Sequence, residues 1–252
     1  MKRVVVVIAL LAVLGIAVNS ARRKRLRKDK AFMTSWRQAA EYYLKVWDSD
    51  DRHLLPKFSA CEVTCEVLHD LCVRYSVART IPGHVEELGL EGKYRPFADM
   101  LNRYRDAVMT RGNVADIIDR EVENMRKPYG GTCLWSAISK AFWMMKRDPV
   151  IIYDNFAWEG LRRLGLKPGY NTYREYFNSW FRFFEQEETK AGLDHALEWL
   201  PSSPYTQRLL KAGYLDASEL SSVWFRKRVT DMWLCFHGGA KWLEDQPQSC
   251  AP

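Results

Sequence analysis

The sequence predicts an all-α protein: a single multi-helix globular domain preceded by one N-terminal transmembrane helix. Three observations support this fold class. Apolar side chains recur at the spacing of an amphipathic helix along most of the chain. Val150–Tyr153 is the one stretch with strand-like composition, and it is too isolated to build a sheet. A charge-free apolar run, Val4–Val18, precedes the first amphipathic helix.

Composition divides the chain into four parts. Residues 1–21 are predicted to be a transmembrane anchor, 22–30 a basic juxtamembrane arm, 31–244 the all-α domain and 245–252 a disordered tail. The net charge of +7 is not spread evenly. Residues 1–30 hold nine Lys or Arg against one Asp, a net +8, which leaves −1 for the rest of the chain. A general basic surface, typical of nucleic-acid-binding domains, is therefore not indicated.

The apolar run is expected to stay in the membrane, with residues 4–21 as the span. A full crossing needs about 20 residues, and Asn19–Ala21 extends the run toward that length. A cleaved signal peptide is the alternative, because a short basic start and an apolar core also fit that pattern. The basic cluster after the run favours an anchor with the domain in the cytoplasm.

The basic arm is predicted to contact anionic lipid headgroups, because clustered cations beside a membrane are attracted to them. The membrane-surface residues are Arg22, Arg23, Lys24, Arg25, Arg27 and Lys28.

Several predicted helices have recognisable ends. The first is expected to stop at the charged cluster Asp48–Arg52, and the second to begin at Ser59 with Glu62 in a capping box. Asn113 and Thr172 are expected to cap later helices. Later helices are predicted over approximate ranges 97–112, 114–125, 155–164, 173–184, 193–200 and 222–236.

In the second half of the chain, the sequence pattern predicts whether two sets of side chains are buried or exposed. An aromatic stripe over Tyr173–Phe184 has helical spacing, and large aromatic residues at that spacing are typical of a buried core. The triplet Arg226–Arg228 is predicted to be a solvated face, with Asp231 as a local ion-pair partner.

No metal site or other cofactor is predicted. Cys61, Cys65, His69 and Cys72 have the residue types of a zinc site. They span eleven residues of one predicted helix, however, and that helix rises about 16 Å over this length. Four ligands of one zinc ion must lie within about 2.3 Å of it, so the pattern indicates a packed face of free thiols.

The stretch from Gly130 to Gly165 holds the candidate catalytic residues. A Gly-Gly turn opens an apolar helix, and Asp154 stands where the next helix begins. Lys140 lies on a narrow polar strip of the first helix and is expected to reach the same cleft as Asp154. Each has a structural alternative, Asp154 as an ordinary helix cap and Lys140 as an exposed or snorkelling lysine.

The order of motifs resembles a known superfamily. S-K-x-x-W and P-x-x-x-Y-D are followed by an aromatic helix and a closing W-F-x-K-R-V-x-D-x-W-L segment. Over about residues 115–237 this order resembles uncharacterised bacterial proteins with a DNA-glycosylase-like fold. Those proteins are distant relatives of the helix-hairpin-helix base-excision enzymes and share the fold of 8-oxoguanine DNA glycosylase.

The resemblance implies roles for particular residues. Asp154 would stabilise the developing cation of a nucleoside whose base is flipped out, and Lys140 is a second candidate for catalysis. Gly130 and Gly131 would form the hairpin whose amides hold a DNA phosphate. Trp135 stands about where bifunctional members of the superfamily carry a nucleophilic lysine.

Two functions follow from these residues. One is a membrane-anchored protein whose cytoplasmic domain binds or processes nucleic acid. The other is a non-enzymatic helical interaction protein at the inner membrane surface, because a fold does not determine a function.

We expect the domain to be cytoplasmic, because seven basic residues lie between Arg22 and Lys30 and two precede the apolar run. Reporter fusions placed after Lys30 and at the C-terminus should be active only in assays that require a cytoplasmic location. A cleaved periplasmic product that starts near Ala21 would contradict this topology.

Overall fold

Helices supply the regular secondary structure in the computed structural model, which describes residues 33, 35–60 and 62–240. The predicted all-α class is confirmed for these residues, and they form one globular domain. The first helix, α1, is continuous over 35–60, with a π-helical turn at Trp47–Asp51. The later helices are α2 (Cys65–Arg74), α3 (Val85–Asn102), α4 (Val114–Arg126), α5 (Trp135–Lys146), α6 (Asn155–Arg163), α7 (Tyr173–Phe184), α8 (Glu187–Trp199), α9 (Pro204–Lys211), α10 (Ala217–Leu220) and α11 (Val223–Gly238).

The predicted anchor (1–21), the basic arm (22–30) and the tail (245–252) lie outside the described residues. Within the part of the chain that the structure describes, no helix combines the length and the apolar character that a membrane crossing requires.

The charged cluster Asp48–Arg52 does not end the first helix, so that prediction is wrong. Arg52 Nε donates to Asp48 Oδ1 at 2.8 Å, one turn away on the same helix. Asp51 is buried and accepts hydrogen bonds from two tyrosine hydroxyls, Tyr43 at 3.0 Å and Tyr75 at 2.5 Å. The charges are thus satisfied by neighbours, and the helix passes through them.

The start of α2 also differs from the prediction. Ser59 lies inside α1, where its hydroxyl donates to the Leu55 carbonyl at 2.9 Å. The cap of α2 is Thr64, whose Oγ1 accepts from Val67 N at 3.4 Å. Serine can bond to a carbonyl one turn back as readily as it caps a helix, so the local pattern was ambiguous.

Other predicted boundaries were partly correct. Thr172 does cap α7, because its Oγ1 accepts from Glu175 N at 3.2 Å. Asn113 precedes α4, but its Oδ1 accepts from Thr110 N at 2.7 Å and not from the helix. The helix predicted over 97–112 is instead α3, and the one over 193–200 begins earlier, as α8.

The aromatic stripe is confirmed as core. Tyr173, Tyr176 and Trp180 are fully buried, and Phe177 and Phe181 nearly so. A second aromatic layer joins the first and last helices. The indole of Trp233 stacks with Trp36, at a centroid distance of 4.7 Å, and with Phe183, at 5.3 Å, and those two rings lie 6.4 Å from each other.

Helices α6 and α11 form the most extensive helix pair, and glycines permit their close approach. A Cβ atom added to Gly160 would overlap the backbone carbonyl of Leu234, and one added to Gly238 would overlap that of Phe156. Because Asp154 precedes α6, this contact fixes the start of α6 against α11.

We expect Gly160→Ala to lower the free energy of unfolding by about 1–3 kcal/mol, because the added methyl group meets rigid backbone and forces the two helices apart. Urea unfolding followed by circular dichroism measures the change. Gly112→Ala is the matched control, since a Cβ there has its nearest neighbour, Thr110 Oγ1, at an ordinary 3.7 Å. Equal effects of the two substitutions would contradict the close packing.

Candidate functional site

An irregular segment, Val150–Tyr153, connects α5 to α6 and carries Asp154 to its position; its first three residues are buried and Tyr153 is half-buried. Side chains of α7 satisfy much of its backbone. The Ile151 N–H donates to the Tyr173 hydroxyl oxygen at 3.2 Å, and the same hydroxyl donates to the Ile151 carbonyl. The Tyr176 hydroxyl donates to the Ile152 carbonyl at 3.0 Å. Tyrosine side chains thus provide the bonds that a neighbouring strand would provide in a sheet.

The end of this segment is held from the other side by α5. The Tyr153 N–H donates to Ser139 Oγ at 2.9 Å, and Lys140 Nζ donates to the Tyr153 carbonyl at 3.5 Å. Asp154 then caps α6, where its Oδ1 accepts from Phe156 N at 2.9 Å. The backbone on both sides of Asp154 is therefore fixed.

Asp154 opens onto a cleft of about 720 Å³. Its walls come from α1, the loop after α2, α5, the start of α6, and α11. A volume of this size is within the range of small-molecule binding sites. The charged side chains on its walls are Arg74, Arg79, Lys140 and Arg228, with Asp50, Asp154 and Asp231. The cleft thus has one more cation than anion, although the sequence from residue 31 onward has a net charge of −1.

The structure brings Asp154 and Lys140 together in this cleft. Lys140 Nζ lies 3.6 Å from Asp154 Oδ2 and donates to Ser136 Oγ at 2.6 Å. The Lys140 side chain is 5% exposed and that of Asp154 is 35% exposed, so the carboxylate faces the cleft and the amine lies behind it. The alternative of an exposed lysine is therefore wrong.

Burial lowers the pKa of Lys140, and the nearby Asp154 carboxylate opposes this shift in part. A lysine with a lowered pKa is a weaker base than an ordinary lysine, but a larger fraction of it is unprotonated at a given pH, and only the unprotonated amine can act as a base or nucleophile. The pair therefore combines an accessible carboxylate with a perturbed amine, which is a common arrangement at functional sites.

The prediction that Arg226–Arg228 forms a solvated face is wrong for its last two residues. Lys227 and Arg228 are buried, and Arg228 is 2% exposed. The Arg228 guanidinium lies over the Tyr43 ring at 5.2 Å and pairs with Asp231 at 3.0 Å. Asp231 is thus an ion-pair partner of the triplet, as predicted; the pair is made by Arg228 and lies in the core. The aromatic residues on both sides of the triplet in the sequence were the signal that could have indicated its burial. A helix that carries such residues all round is packed between other helices, as α11 is.

Asp231 lines the cleft, and Asp51 belongs to the same buried network because it binds Tyr75, another residue of the cleft wall. Asp231 accepts from Trp180 Nε1 at 2.7 Å. Burial raises the pKa of Asp231 to about 6 and that of Asp51 above its ordinary value, and Arg228 opposes both shifts. Sequence reasoning missed Asp51, because it stands in an acidic run and its partner Tyr75 lies 24 residues away.

Gly130 and Gly131 do not reach the cleft. They form an exposed turn after α4 with positive φ angles of 60° and 85°. The Gly131 N–H donates to the Arg126 carbonyl at 2.8 Å, so it closes the end of α4. Trp135, at the start of α5, packs against Tyr153 at a centroid distance of 5.6 Å.

The cysteine-containing helix face is packed into the core where the structure describes it. Cys65 and Cys72 are buried free thiols, and burial raises the pKa of Cys72 to about 12. His69 Nδ1 lies 3.3 Å from the Tyr94 hydroxyl. Cys61 is outside the described residues. The described part of the chain contains no group of three His, Cys, Asp or Glu residues placed to hold a metal ion.

No protein-family model, curated protein or solved structure matches this chain. The cleft, and above all its Asp154–Lys140 pair, is therefore the feature of the described residues that points to a function.

The lowered pKa of Lys140 predicts a pH dependence of stability. Between that pKa and the ordinary value of 10.5, the unfolded chain binds more protons than the folded chain. The free energy of unfolding should therefore rise with pH through this window. We expect Lys140→Met, which has a similar volume and no charge, to lose that rise. Urea unfolding from about pH 6 to about pH 10 measures both proteins.

Lys190→Met is the control for removing a positive charge, because Lys190 is exposed on α8. The same pH dependence in wild type and Lys140→Met would show that burial of the Lys140 amine does not contribute.

Proposed function

We propose that the α-helical domain binds nucleic acid in the cleft beside Asp154 and excises a base in a DNA-glycosylase-like reaction. The observation that carries the proposal is the Asp154–Lys140 pair, with an accessible carboxylate on the wall of a cleft of about 720 Å³. The motif resemblance over about residues 115–237 supports the same chemistry.

The chemistry requires a fixed negative charge. When a glycosidic bond breaks, positive charge develops on the sugar, and a preorganised carboxylate stabilises it. The Phe156 N–H holds one oxygen of Asp154, and Lys140 lies 3.6 Å from the other. Asp154 is then the catalytic carboxylate, and Lys140 is the group that positions it. Water is the nucleophile that completes the reaction.

The cleft offers partners for the rest of a nucleotide. A base must leave the helical stack to enter such a site, and aromatic rings commonly receive it. Tyr75 and Phe156 both line the cleft. Arg74 and Arg79, which are exposed residues of the same walls, supply positive charge for a phosphate. Gly130 and Gly131 have no part in this assignment, because they lie away from the cleft.

The proposal places the domain on the cytoplasmic side of a membrane. The distribution of charge supports this location, since the basic cluster follows the apolar run directly. Residues 4–21 would anchor the chain, and residues 22–30 would bind anionic lipid headgroups. Tethering would restrict the domain to nucleic acid close to the membrane.

A non-enzymatic interaction protein at the inner membrane surface is the second candidate. One observation favours it: Lys140 Nζ has a hydrogen-bond or ion-pair partner within the protein in each of Ser136, Tyr153 and Asp154. The pair would then be a structural clamp that holds the segment before α6. The near-neutral domain is consistent with a protein partner.

Asp154→Asn distinguishes the two candidates. Asparagine caps helices about as well as aspartate, and the lost helix-dipole interaction is worth about 0.5 kcal/mol. We therefore expect nearly unchanged stability together with complete loss of base excision, because an amide offers no full negative charge. Single-turnover assays of the purified chain on damaged and undamaged oligonucleotides measure excision, and thermal unfolding measures stability.

Asp50→Asn is the matched control, because Asp50 lines the same cleft and pairs with Arg74 at its edge. Equal loss of excision in both variants would remove the special role of Asp154. If the wild-type chain neither binds nor cleaves any oligonucleotide at low salt, the nucleic-acid proposal fails and the interaction protein remains.

A further inference from the structure

Ser136 and Lys140 form a hydroxyl–amine pair on one face of α5, where a spacing of four residues brings side chains together. Lys140 Nζ and Ser136 Oγ are 2.6 Å apart, the shortest contact that the amine makes. We propose that Ser136 is a nucleophile with Lys140 as its general base, and that the cleft hydrolyses carboxylic esters. Serine–lysine pairs are a known variant of the serine nucleophile.

The three partners of Lys140 fit an uncharged amine. The Tyr153 carbonyl, at 3.5 Å, accepts a hydrogen bond from an N–H group of the amine, and Asp154 Oδ2 lies 3.6 Å away, where it faces a second N–H group. The Ser136 hydroxyl can donate as well as accept, so it can direct its proton at the remaining lone pair. The hydrogen bonds to Ser136 and Tyr153 therefore persist when the lysine has lost its proton, and only the ion pair with Asp154 is lost.

The difference in exposure between Ser136 and Lys140 assigns the roles of nucleophile and base. Ser136 is half-buried and lines the cleft, whereas the Lys140 side chain is 5% exposed and lies deeper. A substrate in the cleft therefore meets the hydroxyl first, with the amine behind it. The lowered pKa of Lys140 supports this order, because its cause is the same burial.

The proposed reaction balances with water as the one co-substrate. Ser136 Oγ attacks the ester carbonyl carbon as its proton passes to Lys140 Nζ, and the carbonyl π electrons move to oxygen. Collapse of this intermediate breaks the bond to the alcohol, which leaves with the proton from Lys140. Water then attacks the acyl-enzyme, again with Lys140 as base, and releases the acid and free Ser136.

The walls of the cleft indicate an apolar acyl chain. Val46, Ile152 and Met232 line it together with Phe156. The positive charge of Arg74 and Arg79 suits an alcohol portion that carries an anionic group. This activity does not depend on the proposed base excision, since it requires no nucleic acid.

The test uses the full chain in detergent with a biotinylated fluorophosphonate. Ser136 Oγ would form a bond to phosphorus, fluoride would leave, and the serine proton would pass to Lys140. We expect peptide mass spectrometry to find the label on Ser136 and Ser136→Ala to lose it. Lys140→Met should react about 100-fold more slowly. The labelling rate of the wild type should rise with pH as an amine loses its proton, and turnover of 4-nitrophenyl butyrate should follow the same pattern.

Ser76→Gly is the matched control, because Ser76 also lines the cleft but is not paired with Lys140, and labelling should be unchanged. A folded wild-type chain that is not labelled, or is labelled elsewhere, overturns the proposal. Since Lys140→Met could alter the fold, the wild-type pH profile tests the base separately. A labelling rate independent of pH would exclude Lys140 as the base.

Discussion

This domain depends on one constraint: a segment of backbone passes through its interior with no neighbouring strand to bond to, so other groups must satisfy its amides and carbonyls. Val150–Tyr153 is irregular and mostly buried, and an unpaired buried amide or carbonyl costs several kcal/mol. Two tyrosine hydroxyls from α7 and one serine hydroxyl from α5 supply hydrogen bonds. Because those groups belong to two helices, the segment holds α5 and α7 in one arrangement and sets where Asp154 emerges.

The opposite wall of the cleft is fixed by a different kind of contact. Gly160 and Gly238 let the backbones of α6 and α11 touch, and α11 carries Arg228 and Asp231. The carboxylate at the start of α6 and the buried ion pair on α11 therefore keep a constant separation. A site bounded by a hydrogen-bonded segment on one side and by touching backbones on the other is preorganised before any ligand arrives.

Local features of this fold could be predicted from the sequence, whereas its long-range partners could not. The caps at Asp154 and Thr172 and the aromatic stripe depend on residues close in sequence, so pattern alone indicates them. The burial of Asp51 depends on Tyr75, which follows α2 and lies 24 residues further along the chain, so no local pattern indicates this partner. Lys140 combines both situations. Its position beside Asp154 could be predicted from the sequence, whereas the burial of its side chain could not.

The π-helical turn at Trp47–Asp51 rotates the side chains of the second half of α1 about the helix axis, relative to those of the first half. A π turn holds about one more residue than an α turn, so the side chains before and after it project from the rod in directions that differ by about 100°. The half before the turn presents Tyr43, and the turn itself presents Asp51, which binds Tyr43 and Tyr75. One buried carboxylate thus links the rotation of a helix about 39 Å long to Tyr75, a residue of the cleft wall.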